Sequence, residues 1–243
     1  MEQYHIYRKR ERSGLTRFAN STIHQNVIKD ENETKILFVL EKRIGICTSI
    51  GKEVDINQAR EIAQHARENP DFVSLPDPGE AGEVTYQGPY SDVTAEASPG
   101  TRAELVKEVI STCQAEGLNA AGYLTTGYDE IEIENSLGVK RKGQTSFAEF
   151  NLTAIGSGTG YVTGISFDLS LLDLKTMTEE AIQTAKMNID QTTIEPGNYT
   201  VLLEPLAVHG IFQWLSYIGF SGLFYDEGRS CFSGKLDREV ASP

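Results

Sequence analysis

The chain is poor in the residues that usually announce chemistry. Its three cysteines, Cys47, Cys113 and Cys231, lie far apart with no C-x-x-C pair. That excludes a disulfide framework and points to reduced thiols in a cytoplasmic protein. The four histidines, His5, His24, His65 and His209, include no two at metal-ligand spacing. No apolar run approaches the roughly 18 residues of a membrane span, and Met1-Glu2-Gln3-Tyr4-His5 has nothing of a signal peptide's apolar region. No membrane contact is expected. Positive charge is scarce too: 22 Lys and Arg against 35 Asp and Glu leave a net charge of −13. That is the wrong sign for a direct grip on nucleic acid, because such binding runs on Lys and Arg displacing counterions. The basic cluster Arg8-Lys9-Arg10 with Arg12 is diluted by Glu11 and followed by Ser13-Gly14, so it reads as a solvated strand end and turn.

What is present suits a soluble globular protein of two or three small domains, with 39% hydrophobic and 23% charged residues. Residues 4 to 50 read as a meander of strands. Thr34–Glu41 is dense in Ile, Leu, Phe and Val, Lys29–Glu33 reads as a polar turn, and Arg43–Ile50 alternates with Ile44, Ile46, Thr48 and Ile50 on one face. Asp55 caps a helix whose Ile56, Ala59, Ile62, Ala63 and Ala66 form one stripe, closed by Pro70. Residues 71–100, which follow Pro70 and hold four of the chain's eight prolines (Pro76, Pro78, Pro89 and Pro99), read as an extended linker. Thr101 with Glu104 forms a capping box for a helix that buries Leu105, Val106, Val109, Ile110 and Cys113 and stops at Gly117. Strands resume around Ile131 and Ile133, Ala148 to Ala154, and Tyr161 to Phe167. Thr176 with Glu179 caps a further helix carrying Met177, Ala181, Ile182, Ala185 and Ile189.

The two stretches repeat each other. Asn20-Ser21 recurs as Asn135-Ser136, and the same offset of 115 carries Gly45 onto Gly160 and Thr48 onto Thr163. In the helices, Glu61, Gln64, Ala66 and Asn69 recur as Glu180, Gln183, Ala185 and Asn188 at an offset of 119. With the same order of strands then helix, this implies an internal duplication. The fold class expected is α+β: a first unit over 1–70, a linker over 71–100, a second unit over 101–192, and from 193 to 243 the start of a further, β-rich domain.

That last stretch reads as a strand over Tyr199–Leu203, ended by Pro205, and an apolar helix through Leu206, Ile211, Phe212, Leu215 and Ile218 that asks for burial on most sides. About 25 residues come after it, too few to cover it, so the chain is expected to be the N-terminal portion of a longer protein. Common catalytic patterns fail. Gly219-Phe220-Ser221-Gly222 lacks G-x-S-x-G spacing. Gly156–Gly160 lacks the Lys-Ser/Thr of a phosphate loop and reads as a hairpin turn. The acidic rows Asp129–Glu134 and Asp226-Glu227 read as a wet sheet face and a loop rather than a calcium site. His65 reads as solvated, His24 as part of a polar strand or turn, and His209 as a satisfied or partly exposed imidazole, with metal ligation the lesser alternative.

The strand, turn and apolar helix resemble the start of the C-terminal domain in the TldD/PmbA family of two-subunit zinc peptidases, once called modulators of DNA gyrase. Gly228, Ser230, Phe232, Ser233, Gly234, Val240, Ala241 and Ser242 fall where the family pattern wants them, while Asp237 stands where a glycine is usual. In the catalytic type of subunit the helix carries His-Glu-x-x-x-His. On that frame this chain has Phe212, Gln213 and Tyr217. A phenyl ring cannot ligate zinc, an amide cannot take a proton from a metal-bound water, and a phenol is a poor substitute for imidazole.

The resemblance therefore implies the PmbA or TldE-like subunit, with no catalytic residue and no cofactor in this chain and with zinc in a catalytic partner. Expected partners are a TldD-type subunit, or a second copy, and extended peptide substrates. A peptide joining a sheet edge through backbone hydrogen bonds needs no signature residues, so none can be named for it. Two other readings stay open: an active metallopeptidase using ligands outside this stretch, and a non-proteolytic interaction protein acting on gyrase.

Overall fold

The structure is a computed structural model describing residues 1–52, 54–82 and 88–240. It comprises two compact units, Met1–Gln191 and Thr192–Pro243. The first is one six-stranded antiparallel sheet in the order β3-β2-β1-β4-β5-β6. Strands β1 (Glu2–Ala19), β2 (Thr22–Leu40) and β3 (Arg43–Ile50) come from the first repeat, and β4 (Asn119–Asn135), β5 (Lys140–Ile155) and β6 (Thr159–Ser166) from the second. The repeats meet where β1 pairs with β4 from His5↔Asn135 to Phe18↔Gly122. They share a sheet rather than forming separate bodies on either side of a linker.

Two expectations for the first hairpin are corrected. Lys29–Glu33 is not a turn but the middle of β2, and Arg8–Arg12 is not a strand end but the middle of β1. Polar residues persist there because charges answer one another across strands. Lys9 reaches Asp129 on β4 at 3.1 Å, with Glu11 of its own strand also at 3.1 Å, Arg10 reaches Asp30 at 3.0 Å, and Arg8 reaches Glu134 at 2.8 Å. The turn instead falls at Asn20 and Ser21, both at positive φ (49° and 57°), as a tight two-residue hairpin requires. Ser13-Gly14 continues the strand. A Cβ on Gly14 would lie 2.2 Å from the Arg102 guanidinium, so the glycine makes room for a side chain from another element.

Helices α1 (Ile56–His65), α3 (Pro99–Ala115) and α4 (Leu174–Met187) all lie against one face of the sheet, and α2 (Asp92–Ala95) is a single turn beside β4 and β5. Asp55 caps α1 as expected, its carboxylate accepting from Asn57 N. The helix ends at His65 rather than running to Pro70, because Ala66 is extended and Asn69 N bonds Lys42 O. The cap of α3 is Ser98, with Pro99 as first helical residue, and that of α4 is Asp173; both lie three residues before the threonines expected. Each accepts from the backbone N–H of that threonine, at 3.0 Å.

Between the repeats the chain crosses one end of the sheet. Leu75 N donates to Gln3 Oε1, and Asn135 Nδ2 donates to Pro76 O. It then reaches β5, where Ser91 N donates to Ser146 Oγ. Expectations about residues 83–87 lie outside the described residues. The larger core gathers Phe18, Val106, Leu124, Phe150, Leu152 and Ile182 under α3 and α4; a smaller one gathers Ile36, Phe38, Ala59 and Ala63 under α1.

The duplication is visible at atomic scale. A Cβ on Gly45 would sit 2.0 Å from Ala59 O, and a Cβ on Gly160 would sit 1.9 Å from Ala181 O. Each edge strand thus lets its helix touch backbone to backbone. The helices therefore correspond at an offset of 122, Ala59 with Ala181 and Ala63 with Ala185, and not at 119. The slip of three residues is about one helical turn, across which the same face repeats. The serines of the repeated Asn-Ser pair also act alike. Ser21 Oγ accepts from Ala120 N at the start of β4, and Ser136 Oγ accepts from Tyr4 N at the start of β1.

In the second unit Tyr199–Leu203 lies in no strand, with Leu202 94% exposed. An isolated apolar run has no ladder to join, since a strand's hydrogen bonds come from a neighbour. Helix α5 (Pro205–Trp214) runs into a π-helical turn, Leu215–Gly219, with the short α6 (Gly222–Asp226) beyond it. The expectation of a helix buried on most sides is not met: α5 has no buried residue.

Candidate functional site

The sequence singles out the apolar helix, and there the second unit places Phe212 and Gln213 on α5 and Tyr217 in the π turn that follows it. Residues five apart on an α-helix are turned about 140° from each other, too far to serve one ion. The π turn, closed by Phe220 N donating to Leu215 O, changes that phase for the residues beyond Trp214, and π turns recur at functional positions. The backbone frame is thus distinctive, but its side chains do not fit a zinc ion. Phe212 is 57% exposed and Tyr217 69% exposed. The Tyr217 ring lies edge-on to Trp214 at 6.3 Å and to Phe224 at 6.4 Å, and the Arg229 guanidinium covers Phe224 at 3.8 Å. His209 is exposed on α5. Among the described residues no three His, Cys, Asp or Glu side chains come together as a metal site.

The segment after α6 clamps this turn. Ser230 is buried and donates to Gly219 O at 2.6 Å while accepting from Phe232 N, and Phe232 stacks on Phe220 at 5.4 Å. Gly228 and Gly234 both have φ of 70°, which only glycine adopts freely. Asp237, where the family resemblance leads one to expect a glycine, has φ of 60°: the position asks for a left-handed residue, and aspartate is among the few others that tolerate it. Ala241 and Ser242 lie outside the described residues.

The other candidate surface is the sheet face of the first unit on which no helix packs among the described residues. Cross-strand register places Tyr7, Ile133 and Arg141 in one row and Lys9, Ile131 and Gly143 in the next. Gly143 leaves a slot of about 170 Å³ beside Ile131 and Ile133. Farther along, Tyr123 donates to Glu149, a contact that pushes the phenol up to about 12, and Asn151 Nδ2 donates to Tyr161 Oη at 2.7 Å. The outer strands β3 and β6 expose Ile50 and Ile165 at 65% and 74%. Of the remaining histidines, His5 lies on this face with its pKa lowered by burial and then by Lys35, while His24 sits near the β1–β2 turn and His65 ends α1. The structure brings no two of them to one site. No sequence pattern marked this face, because Ile131 and Ile133 alternate with glutamates like any half-buried strand.

Comparison with known proteins decides the family. The sequence pattern of the PmbA/TldA metallopeptidase central domain matches residues 48–189, more than half of the chain.

The chain belongs to the TldD/PmbA family.

Three solved structures share the fold of this TldD/PmbA chain. TldE from Thermococcus kodakarensis is 20% identical with a TM-score of 0.79, over 99% of this chain and 57% of that one. A candidate modulator of a DNA gyrase from Thermotoga maritima is 17% identical with a TM-score of 0.83, over 100% and 57%. Another from Bacteroides thetaiotaomicron is 16% identical with a TM-score of 0.76, over 99% and 57%. The chain thus spans 57% of the length of these relatives. No curated protein matches the sequence. No helix among the described residues is long and apolar enough to cross a membrane.

Proposed function

We propose that this chain is the noncatalytic, TldE-like subunit of a two-subunit zinc metallopeptidase. It binds extended peptide and completes the enclosure, while a TldD-type partner supplies zinc and the attacking water. One observation carries the reading: Phe212, Gln213 and Tyr217 stand where a catalytic subunit of this family has two imidazoles and a carboxylate. None of the three can replace the group it stands for.

Peptide binding is supported by the two outer strands, β3 and β6, which meet no further strand among the described residues beyond the single bridge of Arg43 to Glu68, and by the helix-free face with its slot beside Gly143. Metal analysis tests the reading. Co-expressed with a TldD-type chain, the complex should carry zinc in proportion to that chain, and a homo-oligomer of this chain should carry none. Stoichiometric zinc with peptidase activity in the homo-oligomer overturns it. Titrating an unstructured peptide, with and without the partner, tests the binding role; no binding in either state removes it. Two structural relatives are described as candidate gyrase modulators. If that role extends to this chain, purification from native extract should bring gyrase and no chain bearing His-Glu-x-x-x-His.

A further inference from the structure

The outer edge of β6 lacks the charges that the other open edges of the sheet carry. Natural sheets protect such edges with charged residues, proline or a covering segment, because unpaired N–H and C=O groups otherwise recruit another strand. The part of β2 that β3 does not reach, residues 22–32, carries Lys29, Asp30 and Glu31. The part of β5 that β6 does not reach carries Lys140, Arg141 and Lys142, and there Ser146 N donates to Pro89 O. Strand β3 opens on Arg43, which bridges to Glu68. Thr159–Ser166 of β6 has no charged residue and no proline, and among the described residues no strand beyond β5 pairs with it. Tyr161 and Ile165 are 50% and 74% exposed there.

The phase of the strand decides how a partner pairs with it. Gly156 N donates to Gly158 O across the β5–β6 turn. Bonding toward β5 alternates from that point along the ladder, which turns the backbone groups of Tyr161, Thr163 and Ile165 outward. Thr159 has the same phase, and its carbonyl accepts from Asn188 Nδ2 rather than from β5. A second β6, related by a two-fold axis through Thr163, meets these outward groups antiparallel. Thr163 then stands opposite its own copy and Tyr161 opposite Ile165, two kinds of pair that strengthen antiparallel sheets. On the helix-bearing face Val162 falls opposite Gly164, where no side chain competes with it.

We propose that β6 joins two copies of this chain, antiparallel about Thr163, so that their six-stranded sheets become one. The pairing consumes both β6 edges and closes at two copies, whereas β6 against β3 of the next copy would run on without end. Eight residues a side fall short of the roughly 20–30 of a standard interface, so the dimer is a reversible one. The inference does not rest on the peptidase reading, and it leaves β3 and the helix-free face to peptide.

The test uses the full chain bearing Trp214→Glu, which weakens association through α5. Sedimentation velocity over a concentration series should show monomer passing to dimer and no further. Hydrogen exchange of the peptide covering residues 159–166 should slow over the same range. Thr163→Lys sets two like charges opposite each other, and Thr163→Pro removes an outward N–H that β5 does not use; each should weaken the dimer about tenfold. Thr48→Lys, the same change at the matching position of the first repeat, should leave the dimer unchanged. The exchange measurement needs no change in β6, so a misfolded Thr163 variant leaves the test intact. A monomer throughout overturns the proposal, as does a dimer equally tight in folded Thr163→Lys or one lost in Thr48→Lys. Protection of residues 159–166 that appears only on adding a TldD-type chain also overturns it, and assigns this edge to that subunit.

Discussion

Single residues decide how closely this fold can pack, and Gly45 and Gly160 show it most clearly. Each faces a helix carbonyl at a distance no side chain could share, so Gly45→Ala and Gly160→Ala should each destabilise the protein by about 2–3 kcal/mol. Urea unfolding of each variant measures this; a neutral result would mean the helix can slide away. The identity of the two glycines was legible as a repeat, but its reason was not, because a sequence shows which residues recur and not what approaches them. Arg102 was illegible for a related cause: a helical stripe is read through its apolar members, and a lone arginine on it looks solvated. Cys113 gives a pH prediction. It is fully buried, and burial pushes its thiol from 9.0 up to about 11. The folded state therefore keeps a proton that the unfolded state releases. The stability it contributes is complete below pH 9 and declines as pH climbs toward 11. In Cys113→Ala that alkaline decline should be smaller, as judged by thermal unfolding at several pH values.

At the scale of elements, boundaries were the least legible feature. The stripes of α1, α3 and α4 were plain, but α3 and α4 begin three residues before the capping boxes suggested, because Ser98 and Asp173 take the role given to Thr101 and Thr176. Asp173→Ala should lower stability by about 1 kcal/mol, and Thr176→Ala by less, although Thr176 Oγ1 also donates to Asp173. The order of those two effects in chemical denaturation checks the cap assignment. Long polar stretches misled for a different reason. Lys29–Glu33 reads as a loop by composition, but the cross-strand ion pairs of Asp30 with Arg10 and of Lys29 with Glu11 make the same residues suitable for a strand that no core covers. In α5 and the turn after it the composition was right and the burial was not: Ile211, Phe212 and Trp214 of the helix, and Phe220 just beyond the π turn, are all more than half exposed. Such a surface drives association. The chain should self-associate with rising concentration in light scattering, and Trp214→Glu should reduce this. A monomer at high concentration with a blue-shifted, quencher-protected Trp214 would contradict it.

For the molecule as a whole, the decisive contact is one no local pattern reveals: β1 against β4. Two hairpin-and-helix repeats were legible from Asn20-Ser21, Gly45 and their counterparts, and each looked sufficient for a small domain. The smaller core around Ile36, Phe38, Ala59 and Ala63 is too slight for that. Its strands are held instead by the register from His5 to Phe18 along β4, and by Ser21 and Ser136, each bonded to the first residues of the opposite repeat. The repeats should accordingly unfold together. Hydrogen exchange measured by mass spectrometry under rising denaturant should release amides of β1–β2 and β4–β5 in one step. Ser21→Ala and Ser136→Ala should weaken that step by similar amounts, about 1 kcal/mol each. Separate release of the first repeat, well before the second, would mean that the central pair is a docking seam between independent units. The subunit role would then have to be argued for each repeat on its own.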